Sequence, residues 1–234
     1  MGGAGGERAL HAMTASAGSR PAARQTAVGL VLVLVTASAA VQLLVSSSDF
    51  ARLVLVWLQA VTLVAALRSA GAPATPVRVV NLVAATTALA ALVVLVITGE
   101  LAKGPFALVN GLLVGVAPAV IAVGLVRRLR ENQSVDVSML AGVLAIYLLA
   151  GMFFSFMYGV IDAIDPGALF AGHVDSSSAD QLYFSFVTLC TVGFGDFTPA
   201  GHIARAVSVS EMLIGQIYLV TVVSLIVANL GRRR

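Results

Sequence analysis

Between Thr188 and Asp196 the chain reads Thr-Leu-Cys-Thr-Val-Gly-Phe-Gly-Asp, and the chemically useful part of this run is its main chain. Gly193 and Gly195 permit backbone conformations that a Cβ would forbid, so consecutive carbonyl oxygens can be turned toward one axis. Oxygens arranged in that way replace the hydration shell of a cation. One strand covers an ion on one side only, and four are needed to ring it. The plain alternative is a glycine turn between two helices. Other chemistries find little support, because Cys190 is the single cysteine and the histidines at positions 11, 173 and 202 have no metal-ligand spacing. No nucleophile constellation, cofactor motif or nucleic-acid signature accompanies them.

The elements that must position this run are apolar. With 59% hydrophobic and 11% charged residues and a mean hydropathy of +0.99, the composition lies outside the range of soluble domains and predicts an all-α membrane protein. Windows of about 20 apolar residues predict six spans, over Val28 to Val45, Leu53 to Leu67, Val77 to Ile97, Phe106 to Val126, Met139 to Ile161 and Ile203 to Asn229. Leu182 to Cys190 is too short to cross and fits a re-entrant helix. The order Ser178, Ala179, Asp180, Gln181 predicts a capping box at its start. Its C-terminal dipole end then points toward the glycine run, where a dehydrated cation is stabilised.

Charge orients these spans. Arg8, Arg20, Arg24, Arg68, Arg78, Arg127, Arg128, Arg130 and Arg232 to Arg234 fall on one side, against Arg52, Lys103 and Arg205 on the other. Both termini are therefore expected in the cytoplasm, with the glycine run facing out. The segment from Asp162 to Asp180 carries four aspartates and no Lys or Arg, so the outer mouth is acidic and concentrates cations despite the net charge of +3. Residues 1–27 read as a flexible tail. Val28 to Val35 followed by Ala37-Ser38-Ala39 also fits a signal peptide, against which a long, Gly- and Ala-rich leader weighs.

The run Thr191 to Asp196, set between a short helix and a long one, resembles the selectivity filter of potassium channels. The resemblance implies a homotetramer with one pore loop per chain, potassium as the permeant ion and no further cofactor. It assigns ion coordination to Thr191, Val192, Gly193, Phe194 and Gly195, and filter support to Thr188, Cys190, Asp196, Tyr183, Phe184 and Val187. Tyr183 and Phe184 stand where the family often has two Trp. Phe194 replaces a Tyr, Cys190 a second Thr, and Val187 a Glu that in some bacterial members pairs with the filter Asp. Asp196 is therefore left without a carboxyl partner, and a filter that inactivates more readily is expected. Gly215 matches the hinge of the inner helix. Gln216, Leu219, Val223 and Val227 recur beyond it at helical spacing, where Val223 and Val227 are candidates for a gate that closes by dewetting. For Gly215 close helix packing is the competing role.

Glu211 is the one intramembrane carboxylate, read either as a protonated group hydrogen-bonded behind the pore helix or as a proton sensor. The six-span layout resembles the voltage-gated cation channel superfamily, yet Phe106 to Val126 contains no Arg or Lys, and the ladder of gating charges is missing. The expected division is a tail at 1–27, a four-helix domain at 28–130 without sensor charges, and a pore domain at 131–234. No gating domain is expected after the last span. Membrane lipids are the expected surroundings, and a cell membrane, bacterial by the Arg-rich, Lys-poor composition, the location. A nonselective cation channel and a nonconducting membrane subunit remain as alternatives.

Overall fold

The computed structural model describes residues 28–44, 49–69, 103–130, 137–172 and 175–229, and the described residues are helical apart from the loops around the pore helix. Six helices are used below: α1 (Val28–Leu44), α2 (Asp49–Ser69), α3 (Lys103–Arg130), α4 (Val137–Ile164), α5 (Ser178–Leu189) and α6 (His202–Asn229). The expected span over Val77 to Ile97, the N-terminal tail and Arg232 to Arg234 lie outside the described residues.

Length decides what each helix can do. At 1.5 Å per residue the 28 residues of α4 and of α6 extend about 42 Å, more than the roughly 30 Å hydrocarbon thickness of a bilayer. These two and α3 are long and apolar enough to cross a membrane, whereas the 12 residues of α5 reach only about 18 Å. Val28–Leu44 and Val54–Arg68 form shorter apolar helices. Pro118 is accommodated inside α3, as membrane helices allow where neighbours satisfy the freed carbonyl.

One apolar core joins α1 to α4 and reaches α5 and the end of α6 through Val31, Val35, Leu63, Val114, Ile121, Val143, Leu149, Met152, Leu182 and Ile226. Helices α1 to α3 thus pack against α4 and α5 within one chain. A polar tie reinforces that packing where buried Gln42 of α1 donates from Nε2 to Ser155 Oγ of α4 at 2.9 Å and to the Ser178 carbonyl of α5 at 3.1 Å. A second cluster of Phe154, Tyr158, Leu169, Phe170, Phe184 and Ala204 packs where the end of α4, the loops flanking α5 and the start of α6 meet.

The start of α5 differs from the expected register by one residue. Ser177 is the N-cap: its hydroxyl accepts from the Asp180 amide at 3.2 Å, and the Asp180 carboxylate accepts from the Ser177 amide at 2.9 Å. Three consecutive serines make the cap ambiguous in sequence. An ionised carboxylate in the first turn, favoured by the helix dipole, outweighs the neutral Gln181. Gln181 turns back instead to donate to Ser176 Oγ.

Candidate ion-conducting site

Helix α5 ends at Leu189, and the chain leaves it through a series of bonds back to the helix. The amides of Val192 and Gly193 both donate to the Val187 carbonyl, at 2.9 and 3.4 Å, and that of Thr191 to the Thr188 carbonyl at 3.0 Å. Beyond this point positive φ recurs at every second residue: 56° at Thr191, 59° at Gly193 and 82° at Gly195. In an extended strand successive carbonyls point to opposite sides. Turning every second peptide plane over brings them to the same side. Within one chain a Cβ on Gly193 or Gly195 would meet nothing within 4 Å, so it is the positive φ that calls for glycine there.

Aromatic packing fixes the second half of this loop. Tyr183 lies parallel to Phe194, with ring centroids 6.4 Å apart and planes at 5°, and its hydroxyl donates to Asp196 Oδ2 at 2.8 Å. The phenol takes the place of the carboxyl partner whose absence was expected at Val187. That bond, with a smaller contribution from the Phe197 amide, holds the Asp196 carboxyl below the usual aspartate range. Phe184 faces the other way, edge-on to Tyr158 and Phe170 at 5.1 and 5.0 Å. Phe170 also packs on Phe197, and the segments around Phe170 and Pro199 pair as a short bridge. Of the aspartates before α5, Asp165 and Asp175 are exposed and Asp162 is nearly buried.

The first half is held from α4 and α6. Gly151 of α4 is the notch for Phe186, whose ring would lie 2.7 Å from a Cβ there. Gly215 of α6 is a second notch, where a Cβ would sit 2.5 Å from the Leu189 carbonyl oxygen. The same carbonyl accepts the Tyr147 hydroxyl at 3.1 Å, which also lies 3.4 Å from the Cys190 sulfur. Gly215 therefore sits within regular helix against the end of α5. The departure from α geometry comes later, as a π-helical turn over Leu219–Val223. Its extra residue breaks the spacing expected of the lining positions: Gln216 and Val227 are exposed, while Leu219 and Val223 are half-buried, Val223 against the core. Tyr218, just before the turn, stacks on Tyr147 and donates to the Val143 carbonyl at 2.7 Å.

Glu211 is fully buried behind α5, one helical turn before Gly215. Tyr158, Ser185 and Tyr218 were not singled out as support in the sequence, because an aromatic or serine in an apolar helix gives no sign of a partner on another helix. Their one legible trace is that each interrupts an apolar run. Among the described residues no cluster of His, Cys, Asp and Glu could hold a metal ion.

Similarity to known proteins falls on this same part of the chain. Residues 142–232 match a family model described as an ion channel, Ion_trans_2. The chain is 60% identical over 37 residues to the two pore potassium channel c of Oryza sativa subsp. japonica, covering 16% of this chain and 8% of the rice protein. It is 41% identical over 63 residues to the protein LctB of Geobacillus stearothermophilus, covering 27% of this chain and 46% of that one. The chain thus spans less than half the length of either relative. No solved structure matches. Three helices among the described residues are long and apolar enough to cross a membrane, and the part of the chain that includes α4 to α6 is similar to an ion-channel family.

Proposed function

We propose that four copies of this chain form a potassium-selective channel, each contributing one strand of the filter to a pore on the fourfold axis. The observation that carries this reading is the alternation of left-handed residues at Thr191, Gly193 and Gly195, which turns the intervening carbonyls the same way. Dehydrated potassium passes between the oxygens of Thr191, Val192, Gly193, Phe194 and Gly195 down its gradient, and no enzyme chemistry is involved. The name of the rice relative supports potassium as the ion.

A fourfold assembly is supported by what one copy leaves uncovered. Only 17% of α6 is buried, against 44% of the stretch Asn110–Arg127 of α3 and 50% of α4, and Leu213, Ile214, Ile217 and Val220 stand exposed on it. An inner helix shared between a water-filled pore and neighbouring subunits accounts for such a surface. The full chain on this reading has six spans, both termini in the cytoplasm, and a collar of four helices at 28–130 preceding the pore domain at 131–234. The bacterial plasma membrane is the proposed location. Without charges between Phe106 and Val126, opening does not follow voltage.

The reading is tested by reversal potential in planar bilayers with potassium on one side and sodium on the other. Reversal displaced far from zero, in the sense that opposes potassium flow, is expected, and in symmetric potassium currents of similar size at either polarity. Reversal near zero would replace potassium selectivity with a nonselective cation pore.

A further inference from the structure

Glu211 joins three helices through a set of short oxygen contacts. Its Oε2 lies 2.6 Å from the Tyr158 hydroxyl of α4, and its Oε1 is in short contact with Ser185 Oγ of α5. Ser185 Oγ also lies 2.7 Å from the Gly151 carbonyl of α4. Tyr158 is 3.2 Å from Ser208 Oγ, which in turn is 2.9 Å from the Ala204 carbonyl. Five oxygen–oxygen contacts need hydrogens, and the three hydroxyls supply three.

The carbonyls of Gly151 and Ala204 cannot donate, so Ser185 and Ser208 must serve them. Tyr158 then has one hydrogen for Glu211 or Ser208. The contact between Ser185 and Glu211 is left with none unless the carboxyl brings its own. Were Ser185 to turn to the carboxylate, its contact with the Gly151 carbonyl would lose its hydrogen instead. An ionised Glu211 thus leaves two of the five contacts without a hydrogen, whereas a neutral Glu211 leaves only the longest, Tyr158 to Ser208 at 3.2 Å.

We infer that Glu211 is a neutral acid that donates its proton to Ser185 and accepts from Tyr158, and that this proton-bearing brace positions the pore helix behind the filter. The facing groups are consistent with it: Tyr158, and further along α4 Tyr147, are the titratable side chains, while α5 presents Ser185 and α6 presents Ser208. Arg205, the nearest basic residue along α6, is exposed and donates to the Pro199 carbonyl. The brace and the Gly215 notch form one seam, Glu211 on Ser185 and Gly215 on Leu189, each pair one helical turn from the next. Loss of the proton places an uncompensated charge in that seam, and α6 must let go of α5 one turn before the filter begins. Filter support is therefore present while Glu211 is protonated and is lost as pH rises through its titration.

Infrared spectroscopy of the purified protein in liposomes decides the protonation state without reference to conduction. The carbonyl stretch of a protonated carboxyl is expected at neutral pH, absent from E211Q and lost from the wild type at alkaline pH. Tyr158→Phe removes the donor to the acid's carbonyl oxygen and shifts the band to higher frequency with Glu211 in place, which serves if E211Q does not fold. No band assignable to Glu211 at neutral pH, or a band unmoved in Tyr158→Phe, would overturn the inference. The conduction arm rests on the channel reading: potassium flux in the wild type falls over the pH range in which the band is lost, and flux through E211Q, whose amide still donates and accepts, does not. Equal pH profiles for the two overturn the brace, whereas absence of flux at every pH strikes the channel reading and leaves the band to decide the proton.

Discussion

At the scale of single residues, the site is built from groups that hold the main chain in an unusual shape. Tyr183 is the clearest case, since one side chain stacks on Phe194 and donates to Asp196. Tyr183→Phe keeps the stacking and removes the donor. Its expected result is a faster decline of potassium current in prolonged recordings and a lower preference for potassium over sodium, and unchanged recordings would show that the aromatic contact alone suffices. Gly215 separates two roles that its position in sequence leaves open. Because a Cβ would press on the Leu189 carbonyl, Gly215→Ala is expected to cost about 1–3 kcal/mol in thermal stability of the assembled protein, from overpacking. A residue needed only as a hinge would alter opening and leave the melting temperature where it was. The glycine run itself was legible, because conformational demand is written in residue type. Asp196 and Tyr183 are 13 residues apart, and nothing in their spacing tells of a bond that arises only when the loop folds back on α5.

Among the elements, existence was easier to read than register. Long apolar stretches announce α3, α4 and α6, while the cap of α5 fell one residue early because Ser176 to Ser178 all suit the position. The π-helical turn at Leu219–Val223 left no mark in the sequence: its five residues are ordinary helix formers in a membrane, and one inserted residue shifts every later side chain. How α1 attaches to the pore module also had no sequence signal, since Gln42 finds Ser155 and the Ser178 carbonyl only through packing. Most of that attachment is apolar, and hydrogen bonds between membrane helices average only about 0.6 kcal/mol. Gln42→Leu is therefore expected to lower the melting temperature slightly and to preserve the ion flux. Collapse of the protein on that substitution would mean that the polar tie, and not the shared apolar core, seats the first helix.

For the whole molecule, α6 is the least covered of the three long helices, and on the channel reading its exposed apolar length faces the pore, neighbouring copies and lipid. Native mass spectrometry from detergent is expected to give a particle of four 23.9 kDa chains, and a monomer retaining flux would contradict the shared pore. The central claim, that the main chain of Thr191 to Gly195 is the ion path, is tested most directly by potassium flux into liposomes, with sodium as the control and Gly193→Ala as the variant. Within one chain a Cβ at Gly193 meets no neighbour, so the substitution acts on the left-handed conformation of the run. Flux of potassium and not sodium, abolished in Gly193→Ala at unchanged oligomeric state, is the predicted result. Potassium flux that survives the substitution undiminished would contradict it.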